Sequence, residues 1–228
     1  MFDGQFRKPV DKAVKPIGNA LRKTGLTPDH LTVLGLLVGI GAAVAIGAGN
    51  LTLGVVLVIL AALPDLFDGA LAKASDTASQ RGAFFDSTVD RVTDAFLLGG
   101  IAWYLASTES AHMALLPFAV MAVSSIISYE RAKAESLGIE AKGGLMERAE
   151  RIIALLVGLI FPVLLIPILW IMLVLTSITA IQRFIKVWKQ AAVAPVTAER
   201  IEMRRSRRQS RRVARTERRR TRVPRLPT

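Results

Sequence analysis

"LTVLGLLVGIGAAVAIGAGNLTLGVVLVILAALP", residues 31–64, runs for 34 positions without an Asp, Glu, Lys or Arg. A membrane-crossing helix needs about 20 apolar residues, so the stretch is too long for one helix and suits two. Asn50, preceded by Gly47 and Gly49, supplies turn chemistry near its middle and predicts a helical hairpin. Three further blocks, 95–108, 110–129 and 152–182, also lack those four residue types. The last is again too long for a single helix, and Pro162 with Pro167 can break it. The 228-residue chain is 52% hydrophobic, too apolar for an ordinary soluble domain. The expectation is an all-α integral membrane protein with six transmembrane helices, held within residues 27–190.

The cations set the orientation, because Lys and Arg favour cytoplasmic connections. Six precede residue 31 (Arg7, Lys8, Lys12, Lys15, Arg22, Lys23), three lie between 73 and 91, five between 131 and 151, and sixteen from Arg183 onward. The connections near 49–52, 106–113 and 161–167 carry none. Basic and uncharged connections therefore alternate. Both termini are expected in the cytoplasm of a bacterial cell, with the chain crossing its inner membrane several times.

The two ends differ from the middle. Residues 1–26 place Val10, Val14, Ile17 and Leu21 at helical spacing among basic residues and prolines, which predicts an amphipathic interfacial helix rather than a signal peptide. Residues 191–228 form a basic tail, expected to be disordered: from Glu199 it holds 13 Arg against three acidic residues, +10 of the chain's +12. Such a tail suits anionic membrane lipids, at about 1 kcal/mol per basic residue near the headgroups. A nucleic-acid module is the weaker alternative, since no aromatic residue lies between Ala191 and Thr228 to stack on a base. The chain has no Cys, which excludes disulfides and thiolate metal sites.

Costly carboxylates stand where the first apolar hairpin ends, in "LPDLFDGALAKASDTASQRGAFFDSTVD", residues 63–90. Asp65 and Asp68 are three apart and Asp86 and Asp90 four apart, so each pair projects from one helical face. Pairing with Lys73, Arg81 or Arg91 would explain one such pair. Four on both sides of one loop point instead to a hard divalent cation, Mg2+ or Mn2+, with room for two ions. Asp94, one turn further on, reads as support for the cluster or as a partner of Arg91.

Asp65, Asp68, Gly69, Ala72, Gly82, Asp86 and Asp90, with their spacings over 26 positions, resemble the signature of the CDP-alcohol phosphatidyltransferases. Where that family usually has Arg after the Ala, this chain has Lys73, which keeps the charge without the bidentate fork. The resemblance implies a six-helix membrane enzyme, usually a homodimer, that binds a CDP-linked lipid at a cytoplasmic site. It implies that Asp65, Asp68 and Asp86 bind metal, and that Asp90 completes the cluster and is the catalytic base toward the acceptor hydroxyl. Gly69, Lys73 and Ser79 would contact the nucleotide diphosphate of CDP-diacylglycerol, with Asp29, in "GLTPDHLT", near the cytidine.

A second cluster, "SYERAKAESLGIEAKGGLMERAERI" at 128–152, gathers cations at the ends of two helices. Arg131, Lys133, Arg148 and Arg151, with Arg183 in the last helix, have the spacing to line a pocket for an anionic acceptor such as a phosphate ester. Positive-inside topology alone would also place cations here, and Glu130, Glu135, Glu147 and Glu150 could neutralise several. The run Ser128-Tyr129-x-Arg131-Ala132-Lys133-Ala134-Glu135, the Gly143-Gly144 pair ahead of Glu147-Arg148 and Glu150-Arg151, and Gln182-Arg183 ahead of Trp188 resemble, within the family, the phosphatidylinositol phosphate synthases of actinobacteria. That resemblance implies inositol phosphate as acceptor and phosphatidylinositol phosphate with CMP as products. Glycerol 3-phosphate, giving phosphatidylglycerol phosphate, is the alternative within the family. A divalent cation transporter is the alternative outside it, disfavoured because the line of carboxylates stops at Asp94.

Overall fold

In the computed structural model, residues 27–75, 79–141, 143–192 and 203 are described, and the side chains of 64–75 fall outside the description. Among the described residues there are six α-helices and no strand. They are α1 (Pro28–Gly47), α2 (Leu51–Ser75), α3 (Gln80–Thr108), α4 (Leu115–Ser136), α5 (Arg148–Ile160) and α6 (Leu165–Ala191). Short 3-10 turns, Ala111–Ala114 and Pro162–Leu164, lead into α4 and α6. The expected amphipathic segment at 1–26 and most of the tail at 191–228 lie outside the described residues. The chain divides into two compact units after Phe184. The hydrophobic core belongs to the first, and the described part of the second includes the last turns of α6, where Ala192 N–H donates to Trp188 O (3.0 Å).

The breaks fall where the turn residues stand. Gly49 takes a φ of 85°, a conformation glycine adopts without a Cβ penalty, and Asn50 Oδ1 accepts from Leu53 N–H (3.1 Å) to cap α2. The second long apolar block breaks at Phe161 to Leu164, with Pro162 opening the 3-10 turn. Pro167 lies in the first turn of α6, where its missing N–H costs nothing. The end of α4 carries a Schellman cap: Gly138 (φ 71°) donates to Glu135 O and Ile139 to Ala134 O.

Three segments are long and apolar enough to cross a membrane: Pro28–Gly47, Ala111–Ser136 and Pro162–Ala191. A shorter apolar stretch covers Leu51–Leu63 of α2. Leu37, Val44, Phe118, Trp170 and Ile171 point outward and are more than half exposed. In water that surface would be costly, whereas hydrocarbon solvates it freely. Inside, Ile46, Ile101, Val120, Leu165, Leu169 and Met172 are fully buried. α1 packs against α2 and α3, and α3 against α4. The α1–α3 crossing is close because Gly100 has no side chain: a Cβ there would collide with the backbone of Ala43. That small-residue contact fixes the helix that carries Asp86, Asp90 and Asp94.

Candidate active site

The site grows from helix starts. Thr27 caps α1 reciprocally with His30: the His30 N–H donates to Thr27 Oγ1 and the Thr27 N–H to His30 Nδ1, both at 3.3 Å. Asp29 therefore sits in the first turn of α1. Ser79 caps α3, its Oγ accepting from Gly82 N–H at 3.0 Å. The two starts are neighbours, since a Cβ on Gly82 would lie 3.3 Å from Ser79 Oγ and 4.0 Å from Asp29 Oδ1. Asp29, Ser79 and Gly82, 53 residues apart in the chain at the extremes, thus share one corner.

Asp86, Asp90 and Asp94 recur every four residues and share a face of α3. Asp86 Oδ1 is withdrawn from solvent. Asp90 Oδ1 pairs with Arg148 Nη1 at 2.7 Å, and Asp90 Oδ2 with Arg91 Nη2 at 3.5 Å. Asp94 holds two guanidiniums, Arg148 through Nε on Oδ1 (3.4 Å) and Arg151 through Nη2 on Oδ2 (2.8 Å). Arg91, one of the two alternatives for Asp94, turns elsewhere: its Nη1 donates to Ser128 Oγ (2.8 Å), tying α3 to the start of the second cationic cluster. Of the two readings the sequence offered for Asp94, support for the cluster fits the contacts, since it holds Arg148, which also pairs with Asp90.

The five cations expected for the acceptor divide into kinds. Arg148 and Arg151 reach the α3 carboxylates from the first turn of α5. Arg183, 6% exposed, donates through Nη1 to Ile127 O and through Nη2 to Gly143 O, both at 2.9 Å. Thr179, four residues earlier on the same face of α6, accepts from Leu145 N–H at 3.3 Å. Together they bind the glycine-containing loop before α5 to α6 and α4. Arg131 pairs with Glu135 on the α4 surface at 3.0 Å, and Lys133 is exposed.

Among the described residues no three His, Cys, Asp or Glu side chains gather closely enough to hold a metal ion. Asp65, Asp68, Gly69 and Lys73 belong to α2, but their side chains lie outside the described residues. The donor chemistry that is described fits a hard cation: Asp86 and Asp90 offer oxygens on one helix face, one of them shielded from water.

Comparisons with known proteins give the family. A family model described as CDP-alcohol phosphatidyltransferase matches residues 25–188. Phosphatidylinositol phosphate synthase of Mycobacteroides abscessus is 38% identical over 157 residues, 68% of this chain and 71% of that protein. The crystal structure of the Mycobacterium tuberculosis phosphatidylinositol phosphate synthase with CDP-DAG bound superposes with a TM-score of 0.72 at 32% identity, covering 78% of this chain and 94% of that one. A second crystal structure of that enzyme, in complex with manganese and citrate, has the same TM-score and identity and covers 77% and 88%.

Proposed function

The chain belongs to the CDP-alcohol phosphatidyltransferase family, and from that premise we propose that it transfers the phosphatidyl group of CDP-diacylglycerol to inositol phosphate, releasing phosphatidylinositol phosphate and CMP. The observation that carries this reading is the meeting of α3 carboxylates with the cations of α5, in a chain whose relatives are named phosphatidylinositol phosphate synthase. Glycerol 3-phosphate and ion transport have no comparable support.

Asp65, Asp68, Asp86 and Asp90 would hold a divalent cation, Mg2+ or Mn2+, as one ion or two; manganese is present in a related structure. When bound, the cation neutralises charge on the phosphoryl oxygens and on the departing CMP. Asp90 accepts the proton of the acceptor hydroxyl as that oxygen bonds to the phosphatidyl phosphorus and the bond to CMP breaks. Asp29, Gly69, Lys73 and Ser79 bind the nucleotide and its diphosphate. Arg131, Lys133, Arg148, Arg151 and Arg183 supply positive potential for the acceptor phosphate. Of these, Arg131, Lys133 and Arg148 keep enough exposure to touch it, while Arg151 and Arg183 hold the walls through partners already described.

The setting completes the reading. Six spans cross a bacterial inner membrane, with termini and site on the cytoplasmic side. The catalytic domain covers residues 27–190, the enzyme forms a homodimer, and the Arg-rich tail lies on anionic lipid. The test is CMP release by purified protein in detergent with CDP-diacylglycerol and Mg2+ or Mn2+, comparing inositol phosphate, free inositol and glycerol 3-phosphate. Turnover is expected with inositol phosphate alone. Turnover with glycerol 3-phosphate instead would overturn the acceptor, and no CMP with any acceptor would overturn the reaction.

A further inference from the structure

Arg148 is the first residue of α5, at the positive end of a helix dipole where a cation is disfavoured. Carboxylates from another helix offset this. Asp94 spends both oxygens, one on Arg148 Nε and one on Arg151 Nη2. Arg151 is pinned, with a side chain only 7% exposed and Nη1 donating to Met146 O. The Arg148 side chain is 21% exposed, and its Nη1 lies 2.7 Å from Asp90 Oδ1. One edge of the Arg148 guanidinium is therefore anchored, and the other sits on a carboxylate that the reaction assigns to the cation and to proton transfer.

We propose that Arg148 is shared between Asp90 and the anionic acceptor, with Asp94 as the positioning residue that holds it between them, so that divalent cation and acceptor strengthen each other's binding. This rests on the assignment of Asp90 to the cation. A divalent cation at Asp90 repels the guanidinium and competes for its carboxylate. The Nη1 released from Asp90 then becomes a donor for the acceptor phosphate. Conversely, an acceptor phosphate that draws Arg148 off Asp90 frees an oxygen for the cation. Binding free energies are reciprocal, so each partner raises the other's affinity by the same factor. Arg91, which also pairs with Asp90, is tied to Ser128 and is not exchanged in this way.

The experiment titrates full-chain protein in detergent with Mn2+, reading free Mn2+ by electron paramagnetic resonance, with and without inositol phosphate. In the unaltered protein inositol phosphate should tighten Mn2+ binding by about fivefold or more. Arg148→Gln should bind Mn2+ more tightly than the unaltered protein when inositol phosphate is absent, and should lose the tightening when it is added. Arg148→Lys should restore part of that coupling. Asp94→Asn should keep Mn2+ binding and lose coupling. Because Asp94→Asn strips the partner of buried Arg151 and can fail to fold, Arg148→Gln carries the decision. A merely structural arginine would leave Mn2+ affinity equal or weaker in Arg148→Gln, with coupling intact, and that result overturns the proposal. Mn2+ binding that ignores inositol phosphate in the unaltered protein also overturns it. No Mn2+ binding at all would overturn the cation assignment itself.

Discussion

Two arginines that the sequence places in one class, Arg151 and Arg183, are each 6% exposed yet are held in opposite ways. Arg151 answers to the carboxylate of Asp94, within a cluster that includes Arg148 and Asp90. Arg183 answers to two backbone carbonyls, Ile127 O on α4 and Gly143 O in the loop before α5. The first pairs charge with charge and shares its carboxylate with Arg148, the guanidinium proposed to change partners. The second uses a charge as a fixed strap whose direct hydrogen bonds go to backbone carbonyls rather than to a carboxylate. Burial and positive charge therefore do not by themselves assign an arginine to a ligand; the partner it already holds decides which role is open to it.

Five substitutions break or sharpen this contrast, in descending order of effect. Asp90→Asn should lower CMP release by about 10²–10⁴-fold, because a general base is lost. Asp94→Ala attacks the cluster itself. It leaves Arg151 buried without its carboxylate, and equilibrium unfolding in detergent should show about 3–5 kcal/mol of lost stability. Arg183→Met cuts the strap: two carbonyls lose a charged donor, and the same measurement should show about 2–3 kcal/mol, with inositol phosphate turnover falling as the loop loosens. Thr179→Val removes only the acceptor for Leu145 N–H and should cost about 1 kcal/mol. Arg131→Gln breaks a surface pair one helical turn long, worth at most about 0.5 kcal/mol in stability. A raised KM for inositol phosphate with kcat unchanged would place Arg131 at the acceptor. An unchanged KM would assign it to the α4 surface alone.

Much of the fold follows from local composition. The hairpin turn at Gly49 and Asn50 falls in the middle of the uncharged run, and the break at Pro162 falls in the last apolar block, because glycine, asparagine and proline act on their own few residues of backbone. Length and hydropathy single out three membrane-length segments. They do not do so for α3, whose N-terminal half carries Asp86, Asp90, Arg91 and Asp94 among apolar residues, nor for α5, which has only 13 residues. Apolar length and helical count are separate quantities, and charge within a helix separates them further.

By itself the sequence determined which residues share a helical face and which chemistry that face can do. The four-residue spacing of Asp86, Asp90 and Asp94 is a property of one helix and needs no partner to be read. The spacing of the aspartates over 26 positions likewise identified the family. Only the tertiary structure decided who pairs with whom. Arg148 and Arg151 meet Asp94 across 54 and 57 residues, and Arg183 meets Ile127 across 56. The physical reason is that periodicity fixes direction around a helix axis, whereas an ion pair depends on which helix ends are brought within a few ångströms. That proximity comes from packing such as the Gly100–Ala43 crossing, which no local pattern of charge encodes.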